Sequence, residues 1–189
     1  MYRMSDLINL PVIESSEGDT LCTAKTVIID IADHSISAVV CKEGFINKYI
    51  CMVPMVNVIG LDKNRILIRN KGSIKKVKQS SIEARKLLFF ESIVDKVIID
   101  NNGDIMGAIR DVIFDESDGR IMFYEVSEGY IDDITNGRIK IDCSGELDYD
   151  WMSGVFKCAG NCSGKNSFYK NWNNTLKSRV QNERLDKIT

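Results

Sequence analysis

This 189-residue chain has few prolines, one histidine and no long apolar run. Two prolines with 44% hydrophobic residues argue against a disordered or fibrous chain. Apolar runs such as residues 87–90 are far below the roughly 18 residues that span a bilayer. The first residues include Asp6 and no apolar segment follows, so we expect no secretory signal and a cytoplasmic protein. His34 alone cannot supply the paired imidazoles of most zinc enzymes.

Charge is unevenly placed along the chain. Residues 1–90 carry a net charge of +4, residues 91–150 of −11 and residues 151–189 of +5. This asymmetry marks either a partner surface or the docking of one part of the chain on another, and we favour docking. The basic stretch Lys71 to Lys78 has no interleaved aromatic residue, so it only weakly indicates nucleic-acid binding. A solvated linker accounts for its charge.

An internal repeat is the main feature of the sequence. At an offset of 85 residues the chain matches itself without a gap from about residue 8 to residue 46. Gly18 and Asp19 fall on Gly103 and Asp104, for example. A period this long indicates two copies of a small domain rather than a solenoid.

Each copy is predicted to consist of short β-strands, because segments rich in β-branched residues alternate with turn residues. The predicted strands are residues 11–14, 21–30, 35–42, 46–53 and 65–69 in the first copy, and 96–100, 108–115, 120–126 and 138–142 in the second. Strands this short favour a small antiparallel barrel in each copy. A capping box at Ser80 and Glu83 predicts a short helix between the copies.

The second copy resembles the PRC-barrel domain. The residues that carry the resemblance are the run from Val97 to Asp115, then Gly119-Arg120-Ile121 and the segment from Glu125 to Tyr130. The first copy is similar from Met4 to Pro54 and from Asp62 to Ile68, but has Cys22 and His34 where the second has Gly107 and Gly119. The resemblance covers about residues 4–142 and is closest to tandem two-barrel bacterial members of uncharacterised function.

The predicted architecture is therefore all-β, with two tandem small antiparallel PRC-type β-barrels. We place the first repeat at residues 1–78, a linker helix at 79–91 and the second repeat at 92–143. Residues 144–189 are predicted to be an irregular tail with a short C-terminal helix, because Trp172, Leu176 and Val180 recur at helical spacing. The basic residues of this helix are expected to dock on the acidic second barrel.

The resemblance implies a role without a shared catalytic motif. Related barrels occur in the H subunit of the purple-bacterial photosynthetic reaction centre and in a ribosome maturation factor, and the missing membrane helix argues against the first role. We therefore expect a non-enzymatic adaptor or scaffold for another protein, with no cofactor. The alternative is an accessory factor for ribosome or RNA maturation. We do not expect nucleic acid as a partner, except through the ribosome in the alternative role. A homodimer is a further alternative.

Local acidic motifs favour turns over chemistry. Asp100, Asn102 and Asp104 begin like an EF-hand loop, but Ile105 stands where glycine is needed, so a hairpin turn is expected. The acids Asp111, Asp115, Glu116 and Asp118 could pair for acid–base catalysis, but their pattern is that of turn and strand-end residues. No catalytic residue is predicted.

The six cysteines fall into two groups. Cys22, Cys41 and Cys51 lie in apolar strands and are predicted to be small core residues or partly exposed thiols, because a disulfide is disfavoured in a reducing cytoplasm. Cys158 and Cys162, with Cys143 as a third thiolate, could hold a metal, but no second close pair of ligands is present. No metal site is therefore predicted.

Overall fold

In a computed structural model, we describe residues 1–41, 49–129, 138–142 and 147–158. Within these ranges the strands are β1 (Tyr2–Arg3), β2 (Pro11–Glu14), β3 (Thr20–Asp30), β4 (Ser35–Cys41), β5 (Tyr49–Pro54), β6 (Val58–Asp62), β7 (Arg65–Ile68), β8 (Lys75–Lys78), β9 (Leu87–Phe89), β10 (Val97–Ile99), β11 (Ile105–Phe114), β12 (Ile121–Ser127), β13 (Ile139–Asp142), β14 (Leu147–Asp150) and β15 (Val155–Cys158). The two α-helices are α1 (Gln79–Ala84) and α2 (Phe90–Ile93), and 3-10 turns span Met4–Leu7, Met55–Asn57 and Lys71–Ser73.

The first repeat forms one mixed sheet in the order β6-β7-β2-β3-β4-β5-β8, and β9 also pairs with β3. Antiparallel pairs dominate, and β2 and β7 form one parallel pair. Four of the five predicted strands agree with β2, β3, β4 and β7 to within one residue at each end. The fifth, residues 46–53, agrees with β5 where its residues are described. The turn residues between the apolar segments therefore locate the strands well.

The second repeat has the same pairing scheme, in the order β13-β12-β11-β10-β15-β14, and β1 also pairs with β11. The hairpin β14–β15 joins the sheet because β15 runs parallel to β10, as β7 does to β2. This corrects the expectation of irregular structure after residue 143 for residues 147–158. The reason is that β14 has the alternation Leu-Asp-Tyr-Asp, which is too short to stand out in a sequence without its partner strand.

The two repeats exchange their N-terminal segments. The first segment, β1 with the turn Met4–Leu7, comes from the first repeat but β1 pairs with β11, where Tyr2 lies opposite Phe114. The matching segment of the second repeat is β9 with α2, and there Leu88 lies opposite Ile29 of β3. Since Ile29 is the repeat equivalent of Phe114, the two pairings are related by an approximate twofold axis.

A short contact between the repeats follows the same symmetry. Ser35 and its equivalent Arg120 form an isolated antiparallel bridge. The N–H of Ile36 donates to the carbonyl oxygen of Gly119 at 2.8 Å, and the N–H of Ile121 donates to that of His34 at 2.8 Å. His34 and Gly119 both have positive φ, 45° and 76°, so histidine adopts here the left-handed backbone that glycine adopts in the other copy.

The structure corrects the repeat register before the first turn. Asn9 and Asp95 both have positive φ, and their N–H groups donate at 2.8 Å to the carbonyls of Ala24 and Ile109. Asn9 and Asp95 are thus equivalent and 86 residues apart, whereas Ala24 and Ile109 are 85 apart. The turn between the first two strands is therefore one residue shorter in the second copy, and the expected match without a gap is wrong here.

The largest core cluster belongs to both repeats. Buried residues of the first repeat, among them Met4, Val27 and Ile29, pack in the same cluster as Ile109 and Phe114 of the second. One smaller cluster lies within the first repeat, and another joins the first repeat to Ile82 of α1 and Leu87 of β9. Because burial of apolar area is the main stabilising contribution, this shared cluster couples the stability of the two copies.

The helix between the copies begins at Gln79, as the sequence predicts to within one residue, but it ends at Ala84. The predicted extent of 79–91 is wrong, because residues 87–89 pair with β3 as the strand β9. Its N-cap residue is Lys78, without a side-chain cap, so the predicted capping box at Ser80 does not form. Ile82 is buried and anchors the helix to the core of the first repeat. The predicted short C-terminal helix lies outside the described residues.

Candidate functional site

Two buried carboxylates lie side by side where the first N-terminal segment crosses the second repeat. Asp111 on β11 and Glu125 on β12 are directly opposed across the antiparallel pair, and they are only 3% and 1% exposed. The sequence pattern predicts a turn or strand-end position for Asp111, which is instead buried within β11, and Glu125 is not among the predicted site residues. The missed signal is that Glu125 stands in an apolar strand, at the position where the first repeat has Val40.

The donors to both carboxylates come largely from the exchanged segment. Asp111 accepts from the N–H of Ser5 at 3.2 Å, from the Ser5 hydroxyl, and from the N–H of Val112 at 2.8 Å. Glu125 accepts from Nε and Nη2 of Arg3 at 3.0 and 2.8 Å, a bidentate ion pair, and Arg138 lies 3.5 Å away. These five residues, Arg3, Ser5, Asp111, Glu125 and Arg138, are called the carboxylate clamp below.

The electrostatics of the clamp favour binding of the segment. The hydrogen bond from Arg3 to Glu125, with the attraction between their charges, raises the pKa of the Arg3 guanidinium above its ordinary value. Because a buried carboxylate is costly without a partner, Glu125 stabilises the docked position of Arg3. The clamp can thus hold the first N-terminal segment on the second repeat.

The symmetry-related junction is held by different groups. There the Thr26 hydroxyl donates to the Glu91 carboxylate of α2. Thr26 is the repeat equivalent of Asp111, and Glu91 is that of Ser5, so acid and hydroxyl have changed places. Phe89 and Val40 stand where the other junction has Arg3 and Glu125. One junction is therefore ionic and the other largely apolar.

The remaining acids singled out in the sequence shape turns. Asp115 accepts from the N–H and hydroxyl of Ser117 at 2.9 and 2.6 Å, and these hydrogen bonds lower the pKa of Asp115. Asp118 accepts from the N–H of Arg120 at 2.9 Å. Asp100 accepts from the N–H groups at 102 and 104 at 2.9 and 2.8 Å, which is the hairpin turn expected there. Glu116 is exposed in the turn that holds Asp115 and Asp118, and it accepts from the N-terminal ammonium of Met1.

Two cysteines of the first repeat are paired, which corrects their interpretation as unpaired core residues or thiols. Cys22 on β3 and Cys41 on β4 form a disulfide with a Cα–Cα distance of 5.9 Å. Cys51 on β5 is a free thiol. The physical reason is the close approach of the strands, which the second repeat also shows. At Gly107, the equivalent of Cys22, an added Cβ would lie 2.5 Å from the side chain of Val126, the equivalent of Cys41.

The tail cysteines are only partly described. Cys158, the last residue of β15, is disulfide-bonded and 1% exposed. Cys143 and Cys162 lie outside the described residues. Among the residues that the structure does describe, no group of three or more histidine, cysteine or acidic side chains is arranged to hold a metal ion.

The basic stretch Lys71 to Lys78 forms a 3-10 turn and the edge strand β8, which corrects its interpretation as a solvated linker, because β8 pairs with β5. Lys75, Lys76 and Lys78 are exposed, and β8 pairs only with β5 in the described sheet. Lys78 lies opposite Tyr49, and Nζ of Lys76 is 5.2 Å from the centre of the Tyr49 ring. The structure therefore places beside these lysines an aromatic side chain that the local sequence lacks.

The described residues define a class of protein, namely a tandem all-β protein whose bent sheets exchange their first strands and share one core. Comparison with family profiles agrees with this architecture, since the PRC-barrel domain matches residues 1–74 and again residues 86–144. The chain belongs to the PRC-barrel domain family. The resemblance and the all-β tandem fold expected from the sequence are thus confirmed. No curated protein matches the chain.

In the part of the chain that the structure describes, no helix is long and apolar enough to cross a bilayer.

Proposed function

We propose that this PRC-barrel protein is a non-enzymatic, cytoplasmic adaptor that binds another protein. The shared core and the exchanged segments support this proposal, because they fix the two repeats relative to each other. An adaptor needs surfaces held at a constant spacing. A partner that contacts both repeats would then bind without first ordering them.

The observation that carries the proposal is the apolar tip of the β14–β15 hairpin. Trp151 is 45% exposed and Met152 is 99% exposed. Two contacts hold the tip in place. The Trp151 ring packs edge-on against the Tyr149 ring, with 4.9 Å between ring centres. Nζ of Lys157 donates to Oδ2 of Asp150 at 2.8 Å. Tryptophan and methionine are enriched at protein interfaces, and a partner protein would remove them from water.

The experiment is an affinity capture from lysate of the source organism, with and without nuclease, followed by mass spectrometry. The test variant carries Trp151→Ser and Met152→Ser. The matched control carries Lys63→Ser and Asn64→Ser in the turn of the equivalent hairpin β6–β7. We expect a protein that survives nuclease, is lost with the test variant and is retained with the control. Equal capture by both variants contradicts the role of the tip.

The second candidate is an accessory factor for ribosome or RNA maturation, and the edge strand β8 supports it. The lysines could pair with phosphates, and the Tyr49 ring beside them could stack on a base. A labelled single-stranded RNA should then bind with a slope of about −2 in a plot of log affinity against log salt, if three lysines contact phosphates. Lys75→Gln with Lys76→Gln should flatten the slope, whereas the control Lys63→Gln should not. No binding of RNA at low salt excludes this role for β8.

A homodimer is a third proposal, compatible with the adaptor role. Sedimentation velocity of the full chain separates the two states, because a monomer has a mass of 21.3 kDa. A single species at that mass over a hundredfold range of concentration would rule out the homodimer.

A further inference from the structure

The first repeat holds three cysteines on three neighbouring strands. Cys22 lies on β3, Cys51 lies on β5, and Cys41 lies on β4 between them. All three belong to or pack against one hydrophobic cluster. The second repeat has Gly107 and Val126 at the positions of the first two, so this grouping is specific to the first copy.

Strand register, continued one position past the last paired residues of β4 and β5, sets Cys51 opposite Cys41. Between β4 and β5, Val39 is opposite Val53 and Val40 is opposite Met52. The next position in this register sets Cys41 opposite Cys51. Directly opposed residues in an antiparallel pair have Cα atoms about 4.5 to 5.5 Å apart, which is within the range of about 4.4 to 6.8 Å that disulfides accept. Cys41 therefore has one cysteine on each side.

The three sulfurs differ in their access to solvent. Cys41 is 2% exposed, whereas Cys22 and Cys51 are half-buried. A soluble thiol can therefore approach the outer two cysteines, while the central sulfur is reached mainly by its two neighbours. This is the arrangement that favours exchange within the protein over exchange with solvent.

We propose that Cys22, Cys41 and Cys51 form a thiol–disulfide exchange site with Cys41 as the shared sulfur. The Cys51 thiolate attacks the sulfur of Cys41, the Cys41–Cys51 bond forms and the Cys22–Cys41 bond breaks. Cys22 leaves as a thiolate, which takes up a proton equal to the one that Cys51 released to water. The number of disulfides is unchanged, so the step needs no oxidant or reductant.

Exchange moves the free thiol across the sheet. In one state Cys51 is free at β5, next to the basic strand β8, and in the other state Cys22 is free at β3. Either free thiol can form a mixed disulfide with a low-molecular-weight thiol of the glutathione class. In a reducing compartment, disulfides are mostly transient and redox-sensing, and a labile exchange site fits that behaviour. This inference goes beyond the adaptor role and does not depend on the identity of the partner.

The test is disulfide mapping of the full chain after incubation in a glutathione redox buffer, quenching with an alkylating agent and trypsin digestion. The three cysteines fall in separate tryptic peptides, residues 4–25, 26–42 and 49–63. The wild type should give both the 4–25/26–42 and the 26–42/49–63 linked peptides. Cys22→Ser should give only the second pair, and the matched variant Cys51→Ser only the first.

Two outcomes overturn the proposal. One is a wild-type chain that gives only the Cys22–Cys41 linkage at every redox potential. The other is a Cys22→Ser chain in which Cys41 and Cys51 stay unlinked under oxidising buffer while circular dichroism shows native β-structure. If Cys22→Ser does not fold, the wild-type map decides alone, because it requires no substitution.

Discussion

The exchanged segments predict that damage to the first N-terminal segment destabilises the second repeat. Met4 is 0% exposed and belongs to the core cluster that both repeats share. The turn that contains Met4 contacts β11 of the second repeat and β3 of the first. Met4→Ala should therefore lower the free energy of unfolding of both copies together.

The size of the effect follows from the burial of the side chain. Truncation of a fully buried methionine to alanine costs about 2 to 5 kcal/mol. With a urea dependence of about 2 kcal/mol/M for a domain of this size, a loss of about 3 kcal/mol moves the unfolding midpoint by about 1.5 M. The control Val56→Ala truncates a side chain that is 84% exposed, and it should move the midpoint by less than about 0.3 M.

The assay follows the second repeat through Trp151. The chain has two tryptophans, so a Trp172→Phe background leaves Trp151 as the only one. Its edge-on contact with Tyr149 is lost on unfolding, which changes its fluorescence. We expect the fluorescence and far-UV circular dichroism midpoints of Met4→Ala to coincide and to be lowered together.

A different result would refute the reasoning. If Met4→Ala leaves the Trp151 midpoint unchanged while circular dichroism splits into two transitions, the first segment does not support the second repeat. The exchanged segment would then contribute nothing to the free energy of unfolding of the second repeat, although the fold is the same.

Three further predictions concern single contacts. Gly107→Ala should cost more than about 2 kcal/mol in urea unfolding, because φ is +136° and a Cβ would lie 2.5 Å from a side-chain atom; Gly103→Ala, with φ of +81° and open space, should cost about 1 kcal/mol, and equal losses would contradict the clash. Arg3→Met should cost about 2 kcal/mol because it leaves a buried carboxylate with one partner fewer, and an unchanged urea midpoint would contradict the clamp. Lys157 is the main cause that lowers the pKa of Asp150, so Lys157→Met should raise that pKa toward 3.8 in a carbon-13 NMR titration. Because the pKa of Asp150 is lower in the folded state, ionised Asp150 stabilises the fold above its ordinary pKa, and this contribution is lost as the pH falls. An Asp150 titration that Lys157→Met leaves unchanged would contradict this cause.

Local patterns in the sequence predict most strands of each repeat, but they do not predict β6, β8, β14 and β15. The strand Pro11–Glu14 is predicted to the residue, and Thr20–Asp30 to within one residue, because β-branched runs end at turn residues that tolerate positive φ. The short strands Tyr2–Arg3 and Leu87–Phe89 are not predicted. Two or three residues carry no periodicity, and their pairing depends on a strand in the other repeat.

The carboxylate clamp could be predicted only in part, for the same reason. Asp111 is visible as an acid in an apolar strand, but its partner Ser5 is 106 residues away in the chain. The disulfide between Cys22 and Cys41 is not predicted from the sequence, because a reducing compartment disfavours disulfides and strand periodicity does not show which cysteines lie close together. Contacts between distant segments depend on how the sheets bend, and strand periodicity does not report the bend.

The unequal junctions explain how charge is used in this fold. The second repeat is rich in acids, and one of these, Glu125, is buried where the first repeat has an apolar residue. A buried carboxylate is stable only with a partner, and Arg3 from the first repeat supplies it. The charge asymmetry of the sequence therefore has at least one internal role, which is to dock one repeat on the other. At the opposite junction Phe89 pairs with Ile28, so that contact relies on apolar burial instead.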